Sequence, residues 1–150
     1  MINKSLLAIF IAVLLPGCNG SGSGFSDYTG VWDVRYNLVL DECQVVLPNV
    51  PGFVDQHSME ELDGMIAFDS VSGFVSEVTT SRQVDDSFVA SQSIAGDLFG
   101  DGSFCEITSS FEYSDPDDDT ASSLFSQTIT CDDGFSCRSE GIGQAGRQPL

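Results

Sequence analysis

The chain has 150 residues, of which 23 are acidic and five are lysine or arginine, so its formal net charge is −18. A field of this sign repels phosphate backbones and anionic lipid surfaces, which argues against nucleic-acid binding and against electrostatic docking on a membrane. The length suits one folded domain that can bury a hydrophobic core without help from a partner.

The first 17 residues contain the three parts of a secretory signal peptide. Lys4 makes the n-region basic, residues 5–15 form an apolar run, and Gly17 is a small residue at the expected cleavage point. A helix rises ~1.5 Å per residue, so this run covers roughly 17 Å, about half of a ~30 Å hydrocarbon core. We therefore predict a signal peptide over residues 1–17 and not a transmembrane helix.

The signal ends in Leu15-Pro16-Gly17-Cys18, which resembles the lipobox of bacterial lipoproteins. Pro16 departs from that family, which more often has a small residue such as Ala or Ser at this position. The resemblance implies diacylation of the Cys18 thiol, cleavage before Cys18 and, usually, acylation of the new amino terminus. Asn19 replaces the Asp that favours inner-membrane retention in the Gram-negative family, so the resemblance implies an outer-membrane anchor in the bacterial cell envelope. The alternative is a soluble secretory protein in which Cys18 carries no lipid.

A short polar segment follows the lipobox. Residues 19–24 are Asn, Gly and Ser, a flexible composition, so we expect residues 18–27 to be a lipidated cysteine and its tether. Cleavage after Gly17 would leave four arginines against 23 acidic residues, a formal charge of 4 minus 23, or −19. Membrane attachment would then depend on the acyl chains, which anchor stably when there are two or more. The absence of lysine beside so much Asp resembles proteins from salty habitats, and simple solubility is the alternative.

Alternation of apolar and polar residues begins at Val31 and predicts a half-buried β-strand. One face of this strand would carry Trp32, Val34, Tyr36, Leu38 and Leu40. Similar patterns predict seven further strands, over residues 53–62, 65–69, 74–80, 88–94, 104–113, 121–131 and 135–141.

Turn signals separate these segments, and Asp63-Gly64 supplies the positive φ values that a tight hairpin requires. No apolar repeat at helical spacing occurs outside the signal peptide, and connections this short favour antiparallel neighbours. The sequence therefore predicts an all-β domain over residues 28–143, followed by a flexible tail over residues 144–150. We expect an antiparallel meander of about eight strands that closes into a small barrel.

Gly30-Val31-Trp32, at the start of the first strand, resembles the G-x-W motif of lipocalins. In that family the tryptophan closes one end of an eight-stranded meander barrel and packs near an arginine from late in the chain. The resemblance covers three residues, and the second and third lipocalin motifs are not recognisable. It implies a lipocalin-like closed sheet in which Arg147 takes the arginine's place. The alternative is a core tryptophan in the first strand of another β domain.

Four cysteines remain when Cys18 is assigned to lipid, in a chain expected to enter an oxidising compartment. If the strands alternate up and down, all four lie at one end of the barrel, so we predict two disulfides. Cys105 with Cys131 across adjacent strands, and Cys43 with Cys137, is the preferred pairing. Cys131 with Cys137, and Cys43 with Cys105, is nearly as good.

Metal binding finds little support in the sequence. There is no C-x2-C pair and His57 is the only histidine, so a zinc site is not expected. Residues 115–119 place carboxylates at alternate positions, as a calcium loop would. Thr120 and Ser126 then stand where an EF-hand has Gly and its bidentate Glu. We predict a solvated acidic loop and no cofactor.

Catalysis has one candidate base, His57, between Asp55 and Ser58. On a strand, Asp55 and His57 share a face and Ser58 points the other way, so these neighbours do not make a catalytic triad. We therefore predict no catalytic residues.

Three functions remain, and the first is preferred because it requires only an anchor, a tether and a disulfide-stabilised acidic domain. It is an envelope lipoprotein with an interaction or structural role. The alternatives are a lipocalin-like carrier of a small apolar ligand and, least favoured, a hydrolase that uses His57.

Overall fold

The computed structural model describes residues 27–46 and 48–149. The predictions for the signal peptide, for Cys18 and for residues 19–26 concern a part of the chain outside this description. The described residues form eight strands and no helix, so none of their segments is a helix able to cross a membrane. The strands are β1 (Gly30–Asp41), β2 (Gly52–Leu62), β3 (Met65–Ser70), β4 (Val78–Ser81), β5 (Phe88–Gly96), β6 (Cys105–Asp117), β7 (Thr120–Cys131) and β8 (Ser136–Arg147).

The strands form one antiparallel sheet in the order β4-β3-β2-β1-β8-β7-β6-β5. The first and last strands are neighbours, paired from Trp32 with Arg147 to Asp41 with Ser139. The two edges, β4 and β5, face each other across a seam. At this seam the Gln92 side chain accepts a hydrogen bond from Ser76 N (3.0 Å) and donates one to Ser76 O (3.4 Å). The sheet is therefore a nearly closed barrel, which confirms the predicted all-β antiparallel meander.

Three strand boundaries differ from the prediction by more than two residues. The strand expected over 74–80 is shorter: β4 begins at Val78. Residues 71–77 form turns and bends, and the Asp55 carboxylate of β2 holds Ser72 there. The acidic loop expected over 115–119 is shorter, because β6 continues through an irregularity to Asp117 and β7 begins at Thr120. β8 continues to Arg147, so residues 144–147 pair with strands and are not a tail.

The interior of the barrel is aromatic. The alternation predicted in the first strand is confirmed at Trp32, Val34 and Tyr36, which are fully buried. The other largest fully buried side chains are Tyr28, Tyr113, Phe68, Phe88, Phe111, Phe125, Ile66, His57 and Val75. Rings pack in edge-to-face and offset arrangements, as between Tyr28 and Phe88, whose centroids are 4.8 Å apart.

β8 makes room for these rings by presenting small residues to the interior. Its inward positions alternate Ser139, Gly141, Gly143 and Ala145. A Cβ added at Gly143 would lie 2.7 Å from Tyr36 Cε1 and 2.9 Å from Val34 Cγ1. The glycine is therefore required by the close approach of the Tyr36 ring to the backbone of β8.

Candidate functional site

The up-and-down course of the strands gives the barrel two ends, which we name by their residues. The tryptophan end contains Tyr28, Trp32, Arg82 and Arg147, together with the β2–β3 and β6–β7 turns. The cystine end contains the Cys43–Cys137 and Cys105–Cys131 disulfides, together with the β5–β6 and β7–β8 connections. The described chain enters at the tryptophan end.

A fully buried tyrosine closes the tryptophan end. Tyr28 lies ahead of β1, its carbonyl accepts a hydrogen bond from Trp32 Nε1 (2.8 Å), and its hydroxyl donates to the Asp86 carbonyl (2.8 Å). Burial raises the pKa of Tyr28 well above its ordinary value, so the phenol is neutral and acts as a donor.

Two arginines lie over the rings that close this end. The Arg82 guanidinium is 5.2 Å from the centre of the Tyr28 ring and pairs with Glu61 (2.9 Å). The Arg147 guanidinium is 4.7 Å from the centre of the Trp32 ring. Both contacts have the geometry of cation–π interactions. Arg147 therefore lies against Trp32, where the lipocalin resemblance implies an arginine from late in the chain.

Both disulfides form at the other end of the barrel. Cys105 and Cys131 are directly opposite each other on β6 and β7, and Cys43 joins Cys137 at the start of β8. This is the preferred one of the two pairings that the sequence left open. It ties the β1–β2 loop to the last strand and fastens the hairpin β6–β7 at its open ends.

Aromatic side chains stand on the surface at the cystine end. Phe99, Phe104 and Phe135 are 55%, 58% and 49% exposed. Phe99 and Phe135 line a groove of about 290 Å³ whose base is the Cys105–Cys131 disulfide. Its other lining residues are Asp101, Ser103 and Asp133. Here apolar rings and carboxylates share one concave surface.

A second groove lies on the outer face of β1, β8 and β7. Val39, Leu124 and Ile142 are 62%, 47% and 55% exposed and line a depression of about 370 Å³. Its charged lining residues are Arg138 and Glu140, which form an ion pair, and Glu112. One arginine therefore stands against two glutamates, and the outer groove carries less negative charge than the rest of this acidic surface.

The predicted candidate base belongs to a buried polar cluster. His57 is fully buried, with Nε2 3.1 Å from Asp55 Oδ2 and Nδ1 2.6 Å from the Tyr113 hydroxyl. The Asp55 carboxylate also accepts hydrogen bonds from Ser72 N (3.0 Å) and Ser72 Oγ (2.6 Å). An ionised carboxylate can only accept, so His57 donates from Nε2 to Asp55. Ser58, on the opposite face of β2, takes no part in this cluster.

The ionisation of this cluster follows from its hydrogen bonds. Desolvation acts to raise the pKa of Asp55, but the hydrogen bonds from His57 and Ser72 outweigh it, and the net pKa is below the ordinary 3.8. Burial raises the pKa of Tyr113 well above its usual range. The cluster therefore combines an ionised carboxylate and a neutral phenol around a histidine that solvent does not reach. Its geometry suits structural cross-linking of β2, β6 and the β3–β4 connection.

A cleft opens near the seam at the cystine end. It has a volume of about 220 Å³ and is lined by Phe74, Ile94 and Ile107 together with polar groups. The deepest polar contact is Gln127 Nε2 donating to Ser109 Oγ (3.0 Å). The cleft is smaller than the ~300–1,000 Å³ typical of ligand pockets.

Acidic side chains are spread over the surface of the domain. In the described part of the chain, no three His, Cys, Asp or Glu residues are arranged to hold a metal ion. Asp118 and Asp119 form the exposed turn between β6 and β7.

Two features of the site escaped the sequence analysis although signals for them exist. The alternation of small residues from Cys137 to Ala145 marks the inward face of β8 and extends past the predicted strand end. Phe99, Phe104 and Phe135 beside Asp and Gly mark apolar residues in turns. The clamp of Asp55 on Ser72 has no local signal, because the two residues are distant in sequence and meet only in the folded chain.

Comparison with protein-family models, with curated proteins and with solved structures found no match for this chain. The lipobox and lipocalin resemblances therefore stay predictions, carried by Leu15 to Cys18 and by Gly30-Val31-Trp32.

Proposed function

We propose that this chain is a lipid-anchored protein of the bacterial cell envelope whose acidic β barrel acts by binding another macromolecule at its surface, without catalysis. The observation that carries the proposal is the aromatic interior. Rings such as Tyr36, Phe111 and Phe125 pack on one another at centroid distances of 5.4 to 6.0 Å in the middle of the barrel. Eight-stranded barrels either fill their interior with side chains or hold one small ligand, and this packing favours the first use.

The direction of the barrel supports an anchored binding module. An anchor at Cys18 would reach Asp27 through nine residues, a span of up to ~30 Å when extended. Asp27 lies at the tryptophan end, so the cystine end, with its exposed rings, is the end farther from the attachment. A binding surface placed there faces away from the anchoring membrane and is accessible to partners on that side.

The anchor is tested by expressing the 150-residue chain in a Gram-negative bacterium and fractionating the cells. The wild-type chain is expected in the outer-membrane fraction with incorporated labelled palmitate. Cys18→Ser is expected in the soluble fraction without label, because the chain after residue 17 has four arginines against 23 acidic residues and so no basic segment for a second attachment. Pro16→Ala is the matched control, since it restores the family's small residue and should keep both properties. Cys18→Ser in the membrane pellet would refute the anchor.

A carrier of a small apolar ligand is the second candidate, and the cleft of Phe74, Ile94 and Ile107 is the observation that favours it. Native mass spectrometry of the purified chain, with Ile107→Trp as a variant that fills the cleft, distinguishes the two. We expect the bare mass for both proteins. A co-purified ligand of defined mass, lost in Ile107→Trp, would make the carrier the better account.

A hydrolase has the weakest support because His57 is fully buried. Loss of a hydrolase activity in a folded His57→Ala variant would overturn the proposal that the barrel acts without catalysis.

A further inference from the structure

Two of the three exposed phenylalanines at the cystine end, Phe104 and Phe135, have their backbone held by hydrogen bonds between the two connections and within the β7–β8 turn. Phe104 N donates to Asp132 Oδ1 (3.0 Å), and the Phe104 carbonyl accepts from Asp132 N (3.0 Å). Phe135 N donates to Asp133 Oδ1 (2.8 Å), and its carbonyl accepts from Cys131 N (2.9 Å). These bonds and the Cys105–Cys131 disulfide fix the backbone on both sides of the groove. Ordering this backbone on binding therefore costs little additional conformational entropy.

The rim of this groove is acidic and lacks cationic partners. Asp101 and Asp133 line the groove, and Asp97 and Asp132 lie in the same two connections. Each of these four carboxylates accepts a hydrogen bond from a backbone N–H of the β5–β6 or the β7–β8 connection. Among residues 27–46 and 48–149, no Lys, Arg or His forms an ion pair with any of the four. The rim thus presents net negative charge beside exposed apolar area.

The charge decides between the occupants that could cover such a surface. A second copy of this chain, with a formal charge of −18, would place its own four carboxylates against these four. The two copies would repel each other. An anionic lipid surface would be repelled for the same reason. A segment that carries lysine or arginine between aromatic or aliphatic side chains satisfies both the rings and the rim.

We propose that the groove lined by Phe99 and Phe135, together with the exposed Phe104 at the same end, binds a cationic, apolar segment of another protein. This inference rests on the proposed interaction role of the barrel and does not require the lipid anchor. The rings supply apolar contact area. The aspartates favour cationic partners over anionic ones and raise the rate of association. Binding of this kind weakens as salt screens the rim.

The test uses the protein purified after expression of the 150-residue chain and held in phosphatidylcholine nanodiscs, with empty nanodiscs as the blank. Fluorescence anisotropy compares labelled Lys-Trp-Lys-Trp-Lys with labelled Glu-Trp-Glu-Trp-Glu. We expect the lysine peptide to bind about tenfold or more tightly than the glutamate peptide, which corresponds to about 1.4 kcal/mol. Sodium chloride should weaken this binding. Hydrogen–deuterium exchange should show protection at residues 98–104 and 131–136.

Two pairs of variants separate the contributions of the rings and the rim. Phe99→Ser with Phe135→Ser should lower affinity about tenfold. Leu62→Ser with Val84→Ser, which removes exposed apolar residues at the tryptophan end, should leave affinity unchanged.

Asp101→Asn with Asp133→Asn keeps the Oδ1 acceptors that hold the turns and removes the two charges together with the weak Ser103 Oγ contact to Asp133 (3.4 Å), so affinity and its salt dependence should both fall. Asp63→Asn with Asp118→Asn is the matched control at the opposite end, where no loss is expected. Thermal melts show that each variant folds.

The inference is overturned if the two peptides bind equally, if the Phe99→Ser, Phe135→Ser variant binds as the wild type does, or if protection appears at the outer groove of Val39 and Leu124. Failure of peptide binding with Cys18→Ser still released from the membrane would refute this inference alone. Peptide binding by a chain that never associates with membranes would instead refute the anchor.

Discussion

The two ends of the barrel are closed in different ways. At the tryptophan end, Tyr28 is buried, and side chains from separate segments of the chain converge on it, including Arg82 and Phe88. At the cystine end, two covalent bonds hold the loops, and phenylalanines stay on the surface. Aromatic side chains therefore close one end of this small barrel, and the disulfides hold the loops at the other end.

The composition of the loops explains this division. The connections at the cystine end are rich in Asp, Gly and Ser, as in residues 97–103, and these residues bury little apolar area. Disulfides stabilise such loops by limiting the conformations of the unfolded chain, in the usual entropic account. The exposed rings are then available for binding, and the following variants test how strictly the two ends divide their roles.

Removing the disulfides should give the largest loss. The Cys43–Cys137 bond joins residues 94 positions apart and Cys105–Cys131 joins residues 26 apart. Chain-entropy arguments give about 4 to 5 kcal/mol for the longer loop and about 3 to 4 kcal/mol for the shorter. Urea denaturation of Cys43→Ser/Cys137→Ser and Cys105→Ser/Cys131→Ser, both in the lipid-free Cys18→Ser background, measures the difference. A larger loss from the shorter loop would contradict the entropic account.

Truncating the Trp32 ring at the tryptophan end should give the next largest loss. Trp32→Ala should lower the free energy of unfolding by about 3 to 5 kcal/mol, because it removes a fully buried ring and the Arg147 contact together. Urea denaturation with the disulfides intact measures the loss. The control is Phe135→Ala at the cystine end, where the half-exposed ring should cost less than about 1 kcal/mol. Equal losses would mean that both ends are closed by aromatic packing.

Between the ends, β8 should reject any added side-chain volume on its inward face. Gly143→Ala would place Cβ within 3 Å of Tyr36 and Val34, so we expect a loss of about 1 to 3 kcal/mol. Gly146→Ala is the matched control, since nothing lies within 4 Å of its added Cβ. Chemical denaturation of the two variants should separate them clearly. A neutral Gly143→Ala would show that Tyr36 can move away from β8.

Acid should destabilise the domain through Asp55. Its folded pKa lies below the unfolded value, so its contribution is complete above about pH 4 and is lost as the pH falls through the folded pKa. Asp55→Asn, which we expect to cost about 1 to 3 kcal/mol at pH 7, should therefore approach the wild type in stability as the pH falls from the ordinary value of 3.8 towards the folded pKa. Denaturation at pH 7, 5 and 3 measures this convergence. A constant difference across that range would mean that folding does not lower the pKa of Asp55.

Salt should have the smallest effect and should act at both ends alike. Self-repulsion in a chain of formal charge −18 is screened as the Debye length falls from ~10 Å at 0.1 M to ~3 Å at 1 M. Melting temperatures should rise with sodium chloride and show no further response to millimolar calcium. Asp118→Asn/Asp119→Asn and Asp132→Asn/Asp133→Asn should reduce the salt response equally. A calcium-specific rise lost only in the first variant would identify the β6–β7 turn as a metal site.

Most of the fold could be predicted from the alternation of apolar and polar residues along the chain. Alternation in the first strand and the Asp63-Gly64 turn, where both residues have positive φ, were enough to predict the hairpins and the meander. Parity along the meander also brought the four cysteines to one end. These features are local or follow from strand direction, so a single sequence contains them.

The two strand boundaries that the sequence did not predict, at the start of β4 and at the end of β8, depend on contacts between distant segments. Residues 74–77 have the composition of a strand, but the Asp55 carboxylate holds Ser72 and turns the chain away from the sheet. Residues 144–147 have the composition of a tail, but pairing with β1 extends β8 through them. Neither effect can be seen without knowing which segments meet.

The pairing of β1 with β8 also bears on how the domain folds. Asp33 and Gln148, whose side chains are hydrogen-bonded beside this pairing, are 115 positions apart, so the contact closes almost the whole chain into a ring. Contacts of such long sequence separation slow folding, and β domains dominated by them take milliseconds to seconds. Before β8 pairs with β1, one edge of β1 is unpaired and its apolar face is exposed to solvent. Electrostatic repulsion between the highly acidic chains would limit aggregation of molecules in this incompletely folded state.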